Sequence, residues 1–160
     1  MPTSTMKLSL AVLAICAIAL FSVRLAGADG GSGVVRVESA YPIEETVARI
    51  RQDIAAKGIM FFLEVDQSKL AADAGIDLRP SRLLIFGNPP LGTQFMTSNP
   101  VSGLDWPVRL LVFEDADGVV WTAYTDFAWI ARRHGIDDRA EQFNMASMVI
   151  ASITSSIAAD

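Results

Sequence analysis

Apolar residues recur along this chain in two rhythms, and the switches between them mark out its elements. Val34 to Ser39 alternates, with Val35 and Val37 on one side and Arg36 and Glu38 on the other, which predicts a half-exposed first strand. Pro42 then opens a helix in which Ile43, Val47, Ile50 and Ile54 recur at steps of four, three and four. Glu45, Arg49 and Asp53 line its outer face as alternating charges, and Gly58 is a natural stop. A solvated surface accounts for that charged face more simply than a partner site does.

Ile59 to Val65 reads as the second strand, a short helix follows over Ser68 to Ala74, and Ser81 to Phe86 reads as the third strand. Leu91 to Ser98 is expected to be a short helix, after which Pro100, Gly103 and Pro107 keep the chain irregular. Val108 to Glu114 and Val119 to Thr125 form a hairpin around Asp115-Ala116-Asp117-Gly118. That turn is no calcium loop, because no downstream glutamate completes the ligand spacing. Asp126 caps a helix over Phe127 to Arg133, ended by Gly135, and a final helix from about Asp137 carries Phe143, Ala146, Ile150, Ile153 and Ile157 at core spacing.

This order predicts an α+β fold: a two-layer α/β sandwich with a mixed or mostly antiparallel sheet of about five strands and helices packed on one face. The strands add a complication, since both of their faces are apolar. Ile59, Phe61 and Leu63 oppose Met60 and Phe62; Leu83 and Ile85 oppose Leu84 and Phe86; Leu110 and Val112 oppose Leu111 and Phe113. A single helical layer covers one face only, so the other must be buried by the C-terminal helices or by a second subunit. A homodimer is the expectation, and a monodisperse monomer would remove it.

The N-terminus places the protein. Lys7 supplies a positive charge, Leu8 to Val23 form an apolar run, and Ala26-Gly27-Ala28 gives the small-x-small pattern of a signal-peptidase site. The expected organisation is a cleaved signal over residues 1–28, a Gly-rich linker over 29–33 and a single domain over 34–160, in the periplasm or secreted. The competing reading is an uncleaved membrane anchor. A lipoprotein box at Cys16 is disfavoured, because bulky Ile15 precedes it and the apolar run continues past it. Cleavage at Ala28 leaves a mature chain without cysteine, which excludes disulfides, thiol catalysis and Cys-based metal sites together.

Of 13 basic residues, Lys7 and Arg24 leave with the signal, so 11 remain against 18 acidic ones and the formal charge is about −7. Nucleic acid is excluded as a partner on that balance, and so is a membrane surface after signal cleavage. A small molecule or an envelope protein remains.

Candidate chemistry is sparse. His134 is the only histidine, and its place at a helix end beside Arg132 and Arg133 lets a protonated ring simply complement the helix dipole. A zinc site would have to lean on carboxylates such as Glu64, Asp66 and Asp105, so no metal and no cofactor are expected. Arg82 and Arg109 lie within strands; Arg82 is expected to pair with Glu64 or Glu114 across the sheet, with an anionic ligand as the alternative. In Gly87-Asn88-Pro89 the Asn88 side chain is expected to bond nearby backbone, with Thr93 capping the helix that carries Met96. Backbone amides there could cradle an anion, although the phosphate-loop spacing is absent. Trp106, Trp121, Trp129 and Tyr124 could line an apolar pocket against which Met96 packs, or serve as core. The ligand-binding candidates are therefore Arg82, Asn88, Thr93, Met96, Asp105 and His134, with no catalytic and no metal residue assigned.

In four segments, VDQSKLAADAG, RPSRLLIFGNPPLGTQFM, LDWPVRLLVFEDADGVVW and IARRHGI, the chain resembles the prokaryotic family called domain of unknown function 302, from about Val37 to Ile136. The resemblance implies a compact two-layer α/β fold that often dimerises, and it implies no reaction. The chain departs from the family pattern at Asp66-Gln67, where Asp-His is common, and at Trp106-Pro107, where Leu-Pro is common.

With no recognisable nucleophile, metal or cofactor constellation, the first expectation for function is a non-catalytic dimeric module of the cell envelope that binds a small ligand or a protein. The alternative is an acid/base enzyme using Asp105 or Glu64 with His134 around the Asn88 loop. A third possibility is purely structural association with an envelope complex.

Overall fold

The computed structural model describes residues 31–158; the signal expected over 1–28, Cys16 and the first residues of the linker lie outside them. Strand β1 (Val34–Glu38) leads through Pro42 into helix α1 (Ile43–Ala56), which buries Ile43, Val47, Ile50 and Ile54 as the spacing requires. Strand β2 (Met60–Asp66) follows, then helix α2 (Gln67–Asp73), capped by the Asp66 carboxylate, which accepts from the Lys69 N–H at 2.8 Å. Strand β3 (Ser81–Gly87) feeds helix α3 (Pro89–Ser98) and a 3-10 turn over Pro100–Leu104. Strands β4 (Val108–Glu114) and β5 (Val120–Thr125) form the expected hairpin, and helices α4 (Phe127–His134) and α5 (Ala140–Ser155) complete the chain.

The strands lie in one sheet in the order β1-β5-β4-β3-β2, and every neighbouring pair is antiparallel. The α+β expectation stands, with the mixed alternative excluded for the described strands. Leu84, Phe86, Leu110 and Val112 on one sheet face join α1 and the α5 residues Phe143, Ile150 and Ile153 in a single core. Each such side chain contributes about 1.5–3 kcal/mol on full burial. Ile157 is fully buried too, but beyond α5: the Ala40 N–H donates to its carbonyl at 2.9 Å, and Ser39 bridges Ala158.

Four features depart from the sequence reading by more than one residue or in kind. Helix α3 begins two residues early, because Pro89 and Pro90 occupy first-turn positions whose N–H groups a helix does not use. The segment from Pro100 is a 3-10 turn rather than irregular, with Asn99 accepting from the Val101 N–H. Helix α5 starts at Ala140 instead of about Asp137. In β2 a bulge between Phe61 and Leu63 breaks the alternation. Phe61 pairs with Phe86 on the core side, whereas Leu63 pairs with Ile85 on the far side and is 46% exposed.

The far face of the sheet keeps Leu83, Ile85, Leu111 and Phe113 only half-buried. At the Asp-Gly turn the Asp115 carboxylate organises the hairpin: it accepts from the N–H groups of Asp117 and Val119 and from the Trp121 indole at 2.8 Å. These bonds, led by the one from Val119, hold the Asp115 pKa below its ordinary value.

Candidate functional site

Strand β3 ends at Gly87, and the next residues build one wall of a cleft. Helix α3 leaves the sheet end and lies close to α5, and the space between them is an apolar cleft of about 350 Å³. Phe86, Val108 and Phe127 form its floor side, Leu91 and Phe95 belong to α3, and Val149 and Ile150 belong to α5. Trp106 closes the cleft near Gly87 and Asn88, while Met145 and Met148 stand exposed near its mouth. Phe95 is fixed from behind by Phe143, stacked at 4.0 Å between ring centroids.

Gly92 explains how α3 comes so close. A β-carbon there would stand 1.7 Å from the Trp106 indole nitrogen, so only glycine lets the helix lie on that ring. Phe62, displaced outward by the β2 bulge, packs edge-on against the same indole at 6.1 Å.

Polar groups around the cleft are few. Among the described residues Lys57 is its one charged lining residue, and the Lys57 ammonium is held by both carboxylate oxygens of Asp53 at 2.6 and 2.7 Å. The start of α3 offers no anion cradle: Pro89 and Pro90 have no N–H, and the N–H groups of Leu91 and Gly92 both donate to the Asn88 carbonyl. The Asn88 side chain forms no capping bond and is exposed. Thr93 does not cap the helix as expected; its hydroxyl donates back to the Pro89 carbonyl at 2.7 Å, and it faces solvent. Met96 packs toward Gly103 and lies outside the cleft. Of the expected aromatic lining only Trp106 takes part, since Trp121 is tied to Asp115 and Trp129 covers Gly33.

Asp105 and His134 do meet, but inside the protein. The His134 Nε2 lies 2.6 Å from the Asp105 Oδ2, and both side chains are 4% exposed. Arg133 reaches both Asp105 oxygens at 3.1 Å, and Arg109 reaches one at 3.3 Å. His134 is also the last residue of α4, ended by Gly135 in the left-handed conformation, so the dipole role read from sequence and the buried pair coincide. The cluster joins the end of α4 to the segment leading into β4 and fixes the backbone next to Trp106. Neither Asp105 nor His134 lines the cleft.

Arg82 is committed as well. It pairs with Asp66 and with Glu64 at 3.5 Å and donates to the Ser68 hydroxyl at 3.1 Å, which confirms Glu64 and adds Asp66, while Glu114 takes no part. Asp66 is held below its ordinary pKa chiefly by the Lys69 N–H, with Ser68 and Arg82 assisting. Gln67, where the family commonly has histidine, accepts from the Ser81 hydroxyl at 2.8 Å. Among the described residues no group of three or more His, Cys, Asp or Glu side chains could hold a metal ion.

Sequence reasoning thus found Asn88 and Trp106 at the cleft and missed most of its other walls. Leu91, Phe95 and Val149 carry only the ordinary signal of helix positions facing a core. Gly92 was a visible clue, a glycine inside a helical stretch.

Comparisons with known proteins agree with this architecture. A crystal structure of an uncharacterized conserved protein DUF302 from Bacillus stearothermophilus superposes with a TM-score of 0.71 at 15% identity, covering 79% of this chain and 98% of the other. The chain is 42% identical over 105 residues to the fluoride-specific ion channel FluC 1 of Brucella suis, a match covering 66% of this chain and 41% of the relative. The FluC 1 of Brucella abortus matches at the same identity over 39% of its length. The chain therefore spans about two fifths of these curated relatives. The model of the family described as domain of unknown function DUF302 matches residues 35–153, and the chain belongs to that family.

Proposed function

We propose that this protein is an exported, non-catalytic module of the cell envelope that binds a small molecule between α3 and α5. The observation that carries this reading is the cleft: its volume of about 350 Å³ and its aromatic walls suit a small-molecule site, with few polar groups to fix orientation. The acid/base alternative loses support, because its one His–carboxylate pair is buried away from the cleft and occupied by two arginines. The half-buried far face of the sheet, apolar in Leu83, Ile85, Leu111 and Phe113, supports a homodimer. Export rests on the N-terminal signal pattern.

Native mass spectrometry of the protein purified from the envelope of its own host tests the three parts together. A dimer of the chain lacking residues 1–28, with an added small-molecule mass, is expected. A bare monomer retaining its N-terminus would overturn the reading.

The curated relatives favour a second reading, in which this domain serves beside an ion channel whose conducting part is the portion it does not match. Among the described residues no helix is long and apolar enough to cross a membrane. The domain reconstituted alone into liposomes is then expected to release no fluoride beyond that of empty vesicles, and release would refute this reading.

A further inference from the structure

Resting on the cleft reading above, we infer that the ligand is a neutral, largely apolar molecule with a single hydrogen-bonding end placed at the Asn88 carboxamide, and that carboxylates and phosphates are rejected.

The charge balance of the walls carries this. Phe86, Phe95, Trp106 and Phe127 give the cleft flat aromatic surface, and among the described residues no acid, histidine or cysteine lines it. The one cation among those residues, Lys57, is in a two-oxygen contact with Asp53, so an anionic ligand would have to displace an ion pair already formed. Helix starts usually attract anions through free N–H groups, but two prolines and two bonded amides remove that attraction at α3. A charged head entering this space would lose water and meet only neutral donors such as the Asn88 amide, which is costly. Asn88 differs from its neighbours. Its side chain is not used by its own helix, and its amide both donates and accepts, which suits a ketone, an alcohol or an amide on the ligand. The unbranched, polarizable Met145 and Met148 near the mouth tolerate variation in the apolar body.

The inference is tested with two probes of nearly the same shape, 2-acetylnaphthalene and 2-naphthoate, added to the 15N-labelled protein. Only three tryptophans exist, so the Trp106 indole signal is assigned by its loss in Trp106→Phe. The neutral ketone is expected to shift that signal and leave that of Trp121 in place, with an affinity about tenfold or more above that of the carboxylate. Asn88→Ala, which removes no capping bond, is expected to weaken the ketone several-fold and leave 2-ethylnaphthalene unchanged.

Equal or tighter binding of 2-naphthoate would overturn the neutral-ligand inference while leaving the cleft as a binding site. Failure of both probes to move the Trp106 signal at millimolar concentration would overturn the cleft reading itself. Unchanged ketone affinity in Asn88→Ala would remove Asn88 from the site.

Discussion

The indole of Trp106 rests directly on the backbone of Gly92, so that the hydrogen of a glycine is all that separates α3 from the cleft wall. A methyl group at that position would overlap the ring. Gly92→Ala is therefore expected to destabilise the fold by about 2 kcal/mol, although alanine is ordinarily the better helix former. Urea unfolding measures the loss. Trp106→Ala in the same chain should recover part of it, because the two changes share one contact.

Asp105, the residue before that tryptophan, is anchored by His134, Arg133 and Arg109. Replacing it with alanine strands the buried His134 ring and leaves Arg109 only the Leu104 carbonyl and Arg133 only the Trp129 ring face. The arginines are about half exposed, so their share is small, and the main loss comes from the buried pair. A cost of about 3 kcal/mol is expected for Asp105→Ala. A double-mutant cycle with His134→Ala should show coupling of about 1–3 kcal/mol. Retained probe binding by the folded His134→Ala protein would separate this structural role from a ligand-binding one.

Acid should weaken the protein through two carboxylates. Asp66 and Asp115 both have folded-state pKa values below the ordinary aspartate range. The stability they contribute is present above that range and is lost as pH falls through it toward their lowered values. The urea midpoint is expected to drop as pH falls below the ordinary aspartate range, with a smaller drop in Asp115→Asn. An unchanged pH dependence in that variant would contradict the role given to the Val119 and Trp121 bonds.

At the alkaline end Tyr124 acts in the opposite sense. Burial, with the Asp126 charge adding to it, raises its pKa. Its contribution is present below the ordinary tyrosine range and is lost as pH rises through the raised value. Phenolate absorbance that is lost in Tyr124→Phe is expected to appear above the ordinary tyrosine range, and Tyr124→Phe should lessen alkaline unfolding.

The proposed dimer makes a separate demand on the sheet. Leu111→Lys puts a charge in the middle of the half-buried face, whereas Arg132, exposed on α4, is not part of that face. Light scattering should report a monomer for the first variant and a dimer for Arg132→Ala. A dimer in both would move the contact elsewhere.

Much of the architecture was readable because strand and helix periods are strong where one side is buried. Ile43, Val47, Ile50 and Ile54 are all core, and Val108–Glu114 is the strand expected from its own residues. The bulge at Phe62 was not readable, since one extra residue in an all-apolar run leaves composition unchanged while reversing the side each later residue faces. The start of α3 misled for a related reason: a proline pair reads as a break, yet in a first turn it is compatible with the helix. The cleft depended on the separation of α3 and α5, which are far apart in sequence and whose spacing no local pattern records. Asp105 and His134 were each visible as candidates, but their burial, which decides between catalysis and architecture, comes only from the tertiary fold.

The β2 bulge has a bearing on how the protein survives at high concentration. An outer strand made of Met60, Phe61, Phe62 and Leu63 would otherwise present a regular apolar ladder on which another chain could add. The extra residue interrupts the regular spacing of donors and acceptors, and it turns Phe62 against Trp106 instead of outward along the ladder. Removing one residue at this point would restore a continuous template, and open-ended fibrous growth would compete with closed assembly.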